Sequence, residues 1–168
     1  MDKRNDSKSG WRGKFEIKIK MDYQEIINQL PYSKPFLFVD KLLTVSEESI
    51  SGTYTFKKDL FFYEGHFKNN PVTPGVILTE CMAQIGLVCL GVFILRNKNS
   101  TKELNVALSS TEIDFMLPVF PGEKVKVISE KIYFRFNKLK CNVKMLNGKD
   151  EIIAKGTICG MILNKDLL

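Results

Sequence analysis

The chain contains one histidine, and it lies in a segment dense with residues able to move protons. His66 occupies Gly65-His66-Phe67, shortly before Pro71-Val72-Thr73-Pro74-Gly75-Val76. An imidazole exchanges a proton near neutral pH without a large shift of its pKa. Glu80 follows fourteen residues later, in what reads as the second turn of a strongly apolar helix. Removing a carboxylate from water disfavours its charged form, which favours a protonated Glu80 able to donate. A base and a protonated carboxyl converging on one pocket form an acid–base pair. Gly75 adds a third part. In the first turn of a helix the backbone N–H groups lack intrahelical partners, and the helix dipole is positive there. Such donors hold a carbonyl oxygen as negative charge builds on it, and glycine lets a substrate approach closely. Gln84, one turn beyond Glu80, has the reach to orient that carboxyl. Each of these residues also has a structural use. A loop histidine, a Pro-Gly helix start and a carboxylate satisfied by Gln84 all occur without catalysis.

These residues need elements to position them. Asp22 caps a short amphipathic helix carrying Ile26, Ile27 and Leu30, which Pro31 ends. Phe36 to Val45 and Ser49 to Phe56 read as strands, followed by the loop that holds His66. Val76 to Leu95 forms the longest apolar segment, twenty residues, with Thr73 as the expected N-cap and Pro74 as the first helical residue. A helix apolar nearly all round is buried on most sides. Glu80 and Gln84 inside it, and its soluble-type cap, argue against a membrane span. Leu104 to Phe115, Lys124 to Phe136, Leu139 to Leu146 and Glu151 to Leu163 then read as strands. The turn signals between them are Pro118, Pro121-Gly122, Asn137-Lys138 and the hairpin pair Asn147-Gly148. Hairpins imply an antiparallel sheet, so the fold class is α+β, one sheet burying one long helix. The helix exposes more apolar surface than one flat sheet face covers, which calls for a curled sheet or a partner subunit.

Composition narrows the function classes. The chain has 168 residues with 44% hydrophobic and 26% charged, a soluble globular composition of one domain's size. Of the net +6, residues 1–20 hold +4 (seven basic, three acidic), leaving +2 for the rest (18 basic, 16 acidic). A nearly neutral body gives no case for a nucleic-acid face. Residues 1–20 contain no signal-peptide core and read as an N-terminal arm before a single domain over 21–168. Within the arm, Lys14 to Lys20 alternates as an added edge strand would. Cys81, Cys89, Cys141 and Cys159 fit no metal or redox spacing and read as reduced packing residues of a cytoplasmic protein.

Gly65-His66-Phe67, Pro71-Val72-Thr73-Pro74-Gly75-Val76, Glu80 and Ala83-Gln84 together resemble the β-hydroxyacyl-acyl carrier protein dehydratases of fatty acid synthesis, which have the hotdog fold. Leu30-Pro31-Tyr32 with Pro35-Phe36-Leu37-Phe38-Val39-Asp40 resembles the family's opening segment. Phe115 with Pro118-Val119 and Pro121-Gly122-Glu123 resembles its later turn. The resemblance implies a curved antiparallel sheet around one central helix. It also implies a homodimer, often assembled as a trimer of dimers, with the active site in a tunnel between two subunits. The histidine then comes from one chain and the carboxylate from the other. Carried onto this chain, it implies His66 as the base at the α carbon and Glu80 as the acid at the β hydroxyl. The Gly75 N–H would sit at the thioester oxygen, Gln84 would position Glu80, and the backbone near Phe67 and Val72 would orient His66. No metal or organic cofactor is implied. The partner is an acidic acyl carrier protein bearing a phosphopantetheine arm, for which Arg96, Lys98, Lys102, Lys138 and Lys140 are candidate contacts.

Three features depart from the family pattern. Lys68-Asn69 follow Phe67 in place of Pro-Gly, Met116-Leu117 replace a basic pair, and the arm before Met21 has no counterpart. Val76, Ile77, Leu78, Cys81 and Leu108 are expected to set tunnel length. Phe61, Phe62 and Tyr63 either gate the tunnel or pack the core. The alternatives to a dehydratase are a hotdog acyl thioesterase, which activates water for acyl attack, and a non-catalytic acyl-binding subunit.

Overall fold

The computed structural model describes residues 22–96 and 105–163. The arm 1–20, Lys98, Lys102 and the expected strand start at Leu104 lie outside these residues. A short helix α1 (Tyr23–Asn28) is followed by strands β1 (Lys41–Val45) and β2 (Ser49–Thr55) and a 3-10 turn (Phe61–Glu64). The long helix α2 spans Gly75–Arg96, and strands β3 (Asn105–Phe115), β4 (Lys124–Arg135), β5 (Lys138–Leu146) and β6 (Ile152–Leu163) complete the order. The six strands form one antiparallel sheet in the order β1-β2-β4-β5-β6-β3. Chain order breaks twice: α2 carries the chain from β2 to β3 at the far edge, and the segment after β3 returns it to β4 beside β2.

The sheet curls because four of its ladders slip register, between Leu42/Thr44, Leu108/Ser110, Lys131/Tyr133 and Met145/Leu146. Each irregularity bends its strand and adds twist, so the sheet wraps the helix instead of meeting it on one line. Inward residues of β4 and β5, Val125, Val127, Leu139, Cys141, Val143 and Met145, alternate with outward ones and pack on α2. Every residue of α2 from Cys81 to Ile94 is buried, so the apolar segment is the core helix. Among the described residues all four cysteines are free and buried. Burial pushes the Cys81 and Cys89 thiols up, and that of Cys141 to about 11.

Close approach of helix and sheet depends on glycine at a few contacts. A side chain on Gly86 would meet Ser129 Cβ at 2.9 Å and Val143 Cγ1 at 3.0 Å. On Gly52 it would meet the Lys41 carbonyl and Ile85 Cγ2, each at 2.9 Å. Gly86 also lies within a π-helical turn, Gln84–Val88, that interrupts the α-helical geometry of α2 at its closest contact with the sheet.

Local differences from the sequence expectations have physical causes. Phe36 to Asp40 is not strand: the polar groups around Phe36 and Phe38 bond a glutamine side chain instead of a neighbouring strand. The N-cap of α2 is Pro74, because the Thr73 hydroxyl is bonded to Tyr63. The β5–β6 hairpin spans 147–151, with positive φ at Asp150, and the Asn147 carboxamide oxygen accepts the Lys149 and Glu151 amides. Phe136 and Asn137, both at positive φ, make the tight β4–β5 turn, and the Phe136 ring is 93% exposed.

These contacts predict opposite signs for one substitution within one helix. Gly86→Ala should destabilise by about 1–3 kcal/mol, since Ser129 and Val143 must move. Gly91→Ala, whose nearest neighbour is Leu139 Cδ2 at 3.8 Å, should be neutral or stabilising by up to about 1 kcal/mol. Urea denaturation of both variants checks the pair.

Candidate active site

His66 stands in a loop that bonds to itself. Its N–H donates to the Phe62 carbonyl at 3.0 Å, and its carbonyl accepts the Val72 N–H at 2.9 Å. Phe67 and Asn70 exchange amide–carbonyl bonds at 3.2 and 3.1 Å, which turns the chain back toward α2. Imidazole Nδ1 lies 2.9 Å from the Val72 carbonyl oxygen. A carbonyl only accepts, so Nδ1 must carry the proton, and in the neutral ring Nε2 is left as an acceptor, the form a base needs. The Phe67 ring stacks on the imidazole at 3.9 Å and is itself exposed. Val72 thus contacts His66 through its backbone, while Phe67 touches it through its ring.

Glu80 is half-buried on α2 and accepts a hydrogen bond of 2.8 Å from Gln84 Nε2. Gln84 is fully buried, and its amide has two further bonds. Oε1 accepts the Phe38 N–H at 2.8 Å, and Nε2 donates to the Phe36 carbonyl at 2.9 Å. One side chain therefore aims the carboxyl and ties α2 to the segment before β1. Tyr32 lies on the same side. Its phenol is pushed up to about 12, first by burial and then by the nearby Glu80 carboxylate.

Gly75 opens α2, so its N–H belongs to the first turn, where helix geometry provides no acceptor. The Phe115 ring lies over it, with ring carbons 3.2–3.5 Å from where a side chain would begin. Val76, the next residue, is 76% exposed. The helix start is fixed by the Thr73 N–H, which donates to the Val119 carbonyl at 2.8 Å. The Pro118-Val119 turn is thereby placed beside Gly75.

The structure thus forms two groupings: His66 with Val72 and Phe67, and Glu80 with Gln84. Among the described residues no hydrogen bond joins His66 to Glu80 within one chain. A depression of about 340 Å³ on the outer sheet face, lined by Asp114, Glu130, Asn142, Lys144, Lys155 and Thr157 among others, includes none of these residues. Of the expected tunnel residues, Leu78 and Cys81 are buried in the chain's own core, whereas Val76 and Leu108 are exposed. The aromatic loop divides: Phe61 is exposed and Tyr63 is buried, its hydroxyl 2.6 Å from that of Thr73. Arg96 is paired with Glu25, while Lys138 and Lys140 lie on β5 beside Tyr133 and Arg135 of β4. No three His, Cys, Asp or Glu side chains among the described residues converge on a point that would hold a metal. Sequence reasoning missed three contacts: Tyr32 near Glu80, Phe115 over Gly75 and Tyr63 with Thr73. All join segments distant in the chain, or a buried hydroxyl pair with no periodic signal.

A curved antiparallel sheet around one helix, with a histidine loop feeding the helix start, defines a hotdog-fold protein. The FabA-like domain profile matches residues 30–156, and the chain belongs to that family. The chain is 33% identical over 150 residues to the 3-hydroxyacyl-[acyl-carrier-protein] dehydratase FabZ of Ehrlichia canis, covering 86% of this chain and 97% of the relative. It is 30% identical over 148 residues to the FabZ of Sinorhizobium medicae, covering 86% and 92%. Among solved structures, the dehydratase heterocomplex ApeI:P from Xenorhabdus doucetiae superposes with a TM-score of 0.73 at 12% identity, covering 84% of this chain and 92% of that one. The PaaI protein of E. coli superposes at 0.55 with 14% identity, covering 75% and 80%. These two structures support the fold alone.

Two outcomes follow from this geometry. Gln84→Leu strands the buried Phe38 N–H and should cost about 1–3 kcal/mol, read by chemical denaturation. Burial, aided by Glu80 for Tyr32 and by Asp40 for Tyr54, holds both phenols neutral up to about pH 12. The folded chain then binds more protons than the unfolded chain above pH 10, so stability should fall as pH rises from about 10 to 12. Denaturation midpoints at pH 9, 10, 11 and 12 check the sign, and Tyr32→Phe should flatten the slope.

Proposed function

We propose that the chain dehydrates 3-hydroxyacyl groups carried on acyl carrier protein to the trans-2-enoyl form, as a hydro-lyase of fatty acid or related acyl-chain synthesis. The observation that carries this reading is the bond from His66 Nδ1 to the Val72 carbonyl, which leaves Nε2 as a free base in a chain of the FabA-like family. His66 Nε2 takes the α proton. The electron pair of that C–H bond becomes the second bond between the α and β carbons, and the β C–O bond breaks. Glu80 gives its proton to the departing hydroxyl, which leaves as water, and the proton on His66 returns the carboxylate to its acid form through solvent. The Gly75 N–H holds the thioester oxygen while enolate-like charge builds on it, because the α proton is only weakly acidic without that help. Gln84 keeps Glu80 aimed, and Phe67 and Val72 keep the imidazole plane in place.

In this reading the working unit is a homodimer, with His66 and Glu80 of one site supplied by different chains. Two observations support a covering chain. β3 is an eleven-residue edge strand, paired only with β6 among the described residues. Beside it Phe115, Met116, Leu117, Phe120 and Val76 are exposed and close in space through the Gly75–Phe115 contact and the Thr73–Val119 bond. Catalysis belongs to the single domain 21–168, and the arm 1–20 takes no part in it. The enzyme works in the cytoplasm without a metal or organic cofactor, and its partner is the acyl carrier protein, docked near Lys138 and Lys140.

Purified protein with 3-hydroxyacyl-acyl carrier protein should form the enoyl product, followed by its absorbance. His66→Ala and Glu80→Gln should each lower the rate at least about 10²-fold. Mixing the two variants and letting subunits exchange should restore about a quarter of wild-type activity, since half the dimers then carry one intact site. Release of free thiol from both 3-hydroxyacyl and saturated acyl substrates, or no effect of either substitution, overturns the reading.

A further inference from the structure

We infer that the buried hydroxyl pair of Tyr63 and Thr73 is a clamp that sets the tautomer and direction of the His66 imidazole, making both of them positioning residues. This rests on the reading of His66 as the base. Tyr63 lies on the 3-10 turn, next to Phe62, whose carbonyl holds the His66 N–H. Thr73 follows Val72, whose carbonyl holds the imidazole Nδ1–H. The two arms of the loop are thus each one residue from a bond to His66, and the buried hydroxyl–hydroxyl contact of 2.6 Å joins them.

Both hydroxyls are in the core, with Tyr63 8% and Thr73 4% exposed, so water does not compete for them. Thr73 is held a second time, through its N–H, by the carbonyl of fully buried Val119. The clamp therefore refers the imidazole to the same frame that fixes the Gly75 amide two residues further on. Base and oxyanion donor keep one spacing because both are measured from Thr73. Sequence order explains why a clamp is needed. Residues 67–71 between the arms are all exposed, and Lys68, Asn69 and Asn70 are polar residues that bury nothing to stiffen the loop. Without the buried contact the arms are joined only by bonds near the surface, where water is a ready substitute partner.

The single histidine makes the test direct, because every imidazole signal in a ¹⁵N spectrum belongs to His66. In the wild-type protein the neutral ring is expected as the Nδ1–H tautomer. Tyr63→Phe and Thr73→Val, which remove one hydroxyl each at nearly constant volume, should shift it toward the tautomer mixture of free imidazole. They should also lower kcat about tenfold with KM within about twofold, because the base is misdirected while the substrate site is intact. The double variant should be no worse than the more affected single one, since the pair acts as a unit. Thr73→Ser keeps the hydroxyl and should retain the wild-type tautomer and kcat. If Thr73→Ser behaves like Thr73→Val, or if Tyr63→Phe leaves both tautomer and kcat at wild-type values, the clamp is refuted. A wild-type protein without dehydratase activity overturns the proposed function instead, and the ¹⁵N spectra of the variants still decide whether the pair orients the ring.

Discussion

One buried amide sets the constraint on which much of the molecule depends. A primary carboxamide has one accepting oxygen and two N–H donors, and Gln84 engages three protein groups with them at the centre of an apolar helix. Any helix shift or rotation that broke this set would strand the buried Phe38 N–H and the Gln84 amide, so the position of α2 against residues 36–38 is strongly specified. The same side chain aims Glu80. In the proposed reaction fold and chemistry share this residue, since the helix cannot be repositioned without also redirecting the carboxyl.

The sheet meets this fixed helix by two devices. Register slips curl it, and glycines at the closest contacts let backbones approach where a methyl would collide. The π turn that begins at Gln84 falls where Gly86 comes against Ser129 and Val143 of the sheet. The wrap covers α2 from Cys81 onward and leaves its first turn open, with Gly75 beneath the half-exposed ring of Phe115. A helix end is where free N–H groups and positive potential coincide. The open end and the histidine loop therefore lie beside each other as a consequence of how the core is covered.

Charge plays a smaller part than the net +6 suggests. Arg96 is committed to Glu25 and Lys131 to Glu48, both across elements distant in the chain. The exposed surface near Gly75 is instead apolar, built from Val76, Phe115, Met116, Leu117 and Phe120. Burial of that surface against a second chain would close the site with a low-dielectric wall, where a proton held on a carboxyl and an oxyanion held by an amide both interact more strongly.

The sequence by itself determined the element types, because period-2 strands, an apolar twenty-residue run and turn residues are local signals that tertiary packing left in place. It also placed His66, Glu80, Gly75 and Gln84 at spacings that a helix and its preceding loop must preserve. Local pattern could not say that Phe36 to Asp40, with the apolar character of a strand, would be held by a glutamine side chain from the helix. Nor could it say that Thr73 would bond Tyr63 and leave Pro74 to cap. Those outcomes were decided when distant segments met, since a buried polar group takes the partner that the fold brings to it, and chain order does not reveal which that will be.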